Sequence, residues 1–240
     1  MIGALDIAEV ATEALSSASG EREAEHAVYG LDALDEVDLH AILAAGFERA
    51  GFGVLREVHF PGPKGSRAKD PERERCDLVV TRNPCAGVAD PVKRRKSADR
   101  AAGTLFAPIA EAIEEEAAAG LVRPEEALWL EVKTLGQFAY ADGVPGANRS
   151  YSSELLACAR DLKKLAADRA IVHGALLVVL FAECEEVARH DLMVLAHRCL
   201  DKDLPIGSPA IEGFAVPDRI GNGWCAAGVY PLSVRADRFG

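Results

Sequence analysis

Positive charge is scarce in this chain. Lysine and arginine number 27 against 38 aspartates and glutamates, a formal net charge of −11. Such a protein does not coat nucleic acid indiscriminately, because that binding depends on neutralising phosphates. A locally acidic site beside a confined basic strip remains compatible with it. Aromatic residues make up only 6%, which argues against a stacking platform for single strands. The six cysteines (76, 85, 158, 184, 199 and 225) include no CxxC pair, so no zinc knuckle or redox couple is implied. No apolar run approaches the roughly 20 residues needed to cross a bilayer. The opening MIGALDIAEVATEALSS has no basic residues ahead of an apolar stretch, so no secretory leader is expected. Together these absences predict a soluble, cytoplasmic protein with reduced thiols and no membrane partner. Phosphate-loop (GxxxxGK-S/T), GxSxG and HExxH patterns are also missing, and the six histidines are scattered.

What is present is an ordinary globular composition, 49% hydrophobic and 27% charged over 240 residues, long enough to bury a real core. Residues 1–34 read as an N-terminal arm with a weak helix, its polar part at Ser16–Glu25. Residues 35–240 read as one domain with an insertion at 82–126. Asp35–Ala50 has a helical stripe of Leu39, Ile42, Leu43, Phe47 and Ala50, closed by Gly51. Val54–Phe60 and Cys76–Thr81 read as strands. Within the insertion, a basic loop with Lys93–Lys96 leads to a helix at Thr104–Ala119. Ala127–Thr134 is again strand. A glycine-rich loop (Gly136–Ser150), a serine-capped helix (Ser152–Ala167), the apolar strand Ile171–Ala182 and a helix at Cys184–Leu200 follow. Late strands are expected near Ile211–Val216 and Trp224–Tyr230. The order predicts an α/β fold with a mixed central sheet flanked by helices.

Three polar residues stand out inside apolar strands. Asp77 precedes Leu78-Val79-Val80, and Glu131 and Lys133 alternate with Leu130 and Val132. Residues i and i+2 of a strand share a face, so Glu131 and Lys133 project together. If the two strands pair, Asp77 meets Glu131 across the ladder. With 22 Glu and 8 Lys, a Glu-x-Lys triplet is expected about once by chance. A second candidate, Asp161-Leu162-Lys163, lies in a helical stretch where i and i+2 diverge. The information is in the setting: charges within apolar strands cost several kcal/mol unless paired or metal-bound.

The segments CDLVV, LWLEVKT, YSSELLACARDLKKL and GALLVVLFA resemble the PD-(D/E)xK, or restriction-endonuclease-like, nuclease superfamily over about Asp35 to Ala182. The resemblance implies an αβββαβ core with an extra helix between its second and third strands. It also implies a metal-dependent deoxyribonuclease, an endonuclease rather than an exonuclease, with Asp77, Glu131 and Lys133 catalytic. Asp77 and Glu131 would bind Mg²⁺, with Mn²⁺ able to substitute, helped by Glu36 or His40 from the first helix. Cys76 stands where many members have proline, and the interval from Asp77 to Glu131 is long. Gln137, Arg149, Arg160, Lys163 and Lys164 are the candidate DNA contacts. Duplex DNA is the expected partner, and a homodimer would suit cleavage of both strands. The alternatives are an inactive binding or assembly module of the same fold, or an unrelated α/β protein.

Overall fold

The computed structural model describes residues 2–27, 29–62, 74–84, 86–102, 120–141, 144–217 and 219–233. In chain order the elements are α1 (Ala4–Ala24), a 3₁₀ turn (Leu31–Ala33), α2 (Glu36–Arg49), β1 (Gly53–His59), β2 (Arg75–Thr81) and α3 (Pro91–Ala101). After a second 3₁₀ turn (Pro124–Glu126) come β3 (Leu128–Gly136), β4 (Phe138–Ala141), β5 (Val144–Ala147), α4 (Tyr151–Ala157) and α5 (Ala159–Ala167). The chain continues through β6 (His173–Ala182), α6 (Glu185–Asp201), β7 (Ala210–Ala215) and β8 (Trp224–Pro231). Six strands form one sheet in the order β1-β2-β3-β6-β8-β7, and β4 pairs with β5 as a separate hairpin. Only β3 and β6 run parallel; the other neighbours are antiparallel. The fold is therefore α/β with a mixed sheet, helices on both faces, and the most apolar strand, β6, in its interior.

Alternation along β6 divides the core. Ala175, Leu177, Val179 and Phe181 join the cluster made with α1 and α2. Leu176, Val178, Leu180 and Ala182 join the opposite cluster, made with α4, α5 and α6. This is the period-two geometry of a strand covered on both faces. Helix α2 begins at an Asp35 cap, whose carboxylate accepts from the Asp38 amide at 2.9 Å. It ends in a Schellman turn, with Phe52 N bonded to Phe47 O, Gly51 N bonded to Glu48 O, and Gly51 at φ +88°. Helices α1 and α2 approach so closely that a Cβ at Gly46 would run into Ala14.

Several sequence expectations are corrected here. Residues 16–24 continue α1 instead of leaving a helix, and Ile7, Ala8, Ala11 and Leu15 of α1 sit in the main core. The polar back of the helix hid a buried stripe of small residues. Lys93–Lys96 lies not in a loop but in α3, whose Asp90 cap accepts from the amides of Val92 and Lys93. The glycine-rich segment after β3 contains the β4–β5 hairpin. The single helix expected over 152–167 is broken at Cys158, and its N-cap, Ser150, makes no side-chain capping bond. The helix expected at Thr104–Ala119 lies outside the described residues. Among the described residues, no helix is long and apolar enough to cross a membrane.

Candidate active site

The ladder between β2 and β3 is short. It pairs Val80↔Leu128, Val79↔Trp129 and Leu78↔Leu130, then stops. One residue further along that register, Asp77 faces Glu131. There the backbone pattern changes, because the amide of Val132 donates to Asp77 Oδ2 at 2.8 Å. A side chain thus takes the place of a strand partner. The other neighbour of β2 is irregular at the same level. Pairing with β1 skips from Arg56↔Leu78 to Val58↔Cys76, and Glu57 has φ +55°. Cys76 and Leu78, two residues apart, join clusters on opposite faces of the sheet. Strand β2 is therefore turned about Asp77, and its carboxylate reaches into the gap where the strands part.

Helix α2 closes the gap on one side. Lys133 Nζ donates to Glu36 Oε1 at 2.9 Å. His40, one turn along, places Nε2 3.9 Å from the same oxygen. Single ligand atoms of Glu36, His40 and Asp77 all lie within 4.8 Å of one another. His40 is only 3% exposed, yet its Nε2 has no hydrogen-bond partner among the described residues. Burial lowers its pKa against the opposing pull of Asp77 and Glu36, so the imidazole stays neutral and its unprotonated nitrogen can act as a ligand. Sequence reasoning offered Glu36 and His40 as alternatives; the fold brings both to Asp77.

Helix α5 closes the other side. Lys164 Nζ lies 2.7 Å from Glu131 Oε1 and 4.7 Å from the centre of the Phe60 ring. Glu131 is 2% exposed. Its burial, then the Asp77 carboxylate, push its pKa up to about 8, while Lys164 pulls it back. Lys133 behaves oppositely. Burial disfavours its charge, but the hydrogen bond and charge of Glu36 outweigh that and hold its pKa above the ordinary value. Asp161, in the sequence set aside as a chance triplet, also faces this group. Burial raises its pKa, and Lys133 and Lys164 oppose the rise. The three-residue spacing of Asp161 and Lys164 on one helical face was the signal that could have found them.

The other candidate contacts fall differently. Gln137 donates to Asp191 Oδ2 at 3.1 Å and accepts from the Glu183 amide at 3.0 Å, so both ends of its amide are engaged within the protein. Tyr151 also donates to Asp191, at 2.6 Å. Lys164, one of the candidate DNA contacts, is paired with Glu131. Arg149, Arg160 and Lys163 are exposed. No family model, curated protein or solved structure matches this chain.

Proposed function

We propose that the protein is a metal-dependent nuclease that hydrolyses phosphodiester bonds in DNA, with a PD-(D/E)xK-type site. One observation carries this reading. Two carboxylates and a neutral imidazole whose Nε2 has no hydrogen-bond partner among the described residues converge where β2 and β3 part, beside a buried glutamate and a lysine. The donor set fits a divalent cation: Glu36 and Asp77 offer the hard oxygens that Mg²⁺ and Mn²⁺ prefer, and His40 tilts the choice towards Mn²⁺. When bound, such a cation supplies positive charge where negative charge builds on the phosphate.

The chain's own groups then divide the work. Lys133 is held protonated by Glu36 and serves as a donor to a phosphate oxygen, not as a base. Once ionised, above its raised pKa of about 8, Glu131 can accept the proton of the attacking water. The new P–O bond forms, the bond to the leaving sugar oxygen breaks, and that oxygen takes a proton from solvent. Lys164 orients Glu131 through their 2.7 Å ion pair.

Cleavage of plasmid and linear DNA with Mg²⁺ or Mn²⁺ tests the reading. Lys133→Ala and Asp77→Ala should each lose about 10²–10³-fold in rate. Equal behaviour of the wild type and both variants would overturn it. A second reading, a non-catalytic module on the same fold, is favoured by the two lysines already paired with Glu36 and Glu131. A Mn²⁺ titration separates the two, because a retired site binds the ion weakly.

A further inference from the structure

Two cavities lead away from the candidate site. The first, about 800 Å³, begins at Glu36 and Thr134 and is walled by Tyr29, Phe138 and Tyr140, with Asp32 and Glu154 as its other carboxylates. The second, about 340 Å³, is lined by Ser19, Arg22, His26 and Arg219, against one carboxylate, Glu23. Arg22 lines both. Hydrogen bonds hold part of the first cavity's wall. The buried Asn222 accepts from the Phe138 amide at 3.2 Å and donates to Asp32 Oδ2 at 2.9 Å and to Phe138 O at 3.1 Å. The Tyr140 hydroxyl donates to Ile220 O at 3.2 Å.

We propose that these cavities form a track for one strand of DNA, unpaired beside the scissile phosphate, with a base among Tyr29, Phe138 and Tyr140 and the neighbouring phosphate at Arg22. This rests on the nuclease reading and names its substrate class as single-stranded or splayed DNA. The order of chemistry along the track carries it. The first cavity is net acidic, with Asp32, Glu36 and Glu154 against Arg22, and disfavours a phosphate. A base is suited to it. Its faces can stack on the rings of Tyr29, Phe138 and Tyr140. In a duplex, stacking covers those faces, so the occupant is an unpaired base. The cavity has the size of a single small ligand and not of a helical segment. The next phosphate then reaches Arg22, at the border of the second cavity.

The test reads binding without cleavage. A labelled single-stranded DNA of about 12 nucleotides and its duplex are titrated by anisotropy in EDTA with wild type, Tyr29→Ala and Arg22→Ala, each checked for folding by thermal melting. The single strand should bind more tightly than the duplex. Tyr29→Ala should weaken it roughly tenfold. Arg22→Ala should weaken it and lower the salt-dependence slope by about one. Duplex preference, or both variants binding within about twofold of wild type, overturns the track. Cleavage by wild type, Asp77→Ala and Lys133→Ala is scored separately, so failure of the nuclease reading is visible whatever the binding shows.

Discussion

Strands β3 and β6 lie side by side, paired in parallel from Leu128↔His173 to Gly136↔Phe181, yet they tolerate charge very differently. From Gly174 to Ala182, β6 buries every residue and carries no charged side chain. β3 begins in the same way through Leu128, Trp129 and Leu130, then turns to Glu131, Lys133 and Thr134. The contrast lies in the second neighbour. β8 follows β6 from Pro231 to Trp224, so both its edges are paired. β2 accompanies β3 only as far as Leu130. Beyond that point α2 and α5 supply partners instead: Glu36 for Lys133, Lys164 for Glu131. Charge is tolerated where the ladder ends and counter-charges can enter, and is absent where the ladder is complete.

Placing a charge in the complete ladder should have the largest effect. Leu177→Asp in β6 buries a carboxylate without a partner and should cost more than about 4 kcal/mol. A wild-type urea midpoint for that variant would break the comparison. Next comes filling the open end. Mn²⁺ at roughly 100 times its Kd should add about 2.7 kcal/mol, or about 5–10 °C in Tm for a chain of this size. His40→Ala and Asp77→Asn should abolish that rise; a rise retained in both would put the ion elsewhere. A smaller effect is expected of Lys164→Met, which removes the cation from Glu131 while keeping an apolar contact with Phe60. A loss of about 1–3 kcal/mol is expected above pH 8, where Glu131 is ionised, and less below it; a loss independent of pH would point to packing alone.

The smallest effect is a change of slope. Burial and Asp77 raise the Glu131 pKa to about 8. An acid raised on folding holds its proton more tightly in the native state. Its contribution to stability is whole below its ordinary pKa of 4.5 and is lost as pH climbs through about 8. Metal-free protein should therefore lose Tm across that window, and Glu131→Gln should flatten the decline. His40 acts in the other direction: burial lowers its pKa, so its contribution falls away as pH drops below 6.5. An unaltered slope in Glu131→Gln would assign the decline to another group.

Strand patterning made Asp77, Glu131 and Lys133 legible, because a charge inside a β-branched or leucine-rich run is conspicuous. Helix α2 was legible too, with Glu36 and His40 one turn apart at the edge of an apolar stripe. Asp161 and Lys164 were less so: their three-residue spacing marks one helical face, but charges on such a face look the same whether they meet solvent or a buried glutamate. Packing of α1 on the core was missed because its buried face is largely alanine. Tyr29, Phe138 and Tyr140 are far apart in the chain or hidden in a hairpin, and composition does not report that they share one cavity.

From the sequence alone follow the α/β order of elements, the central apolar strand and the polar interruptions of two others. Those are set by local periodicity, which each segment carries within itself. The meeting of Glu36, His40 and Asp77, the lysine partners and the cavities beside them were decided by tertiary structure. They depend on where one ladder stops and two helices pack, and no single segment encodes that distance.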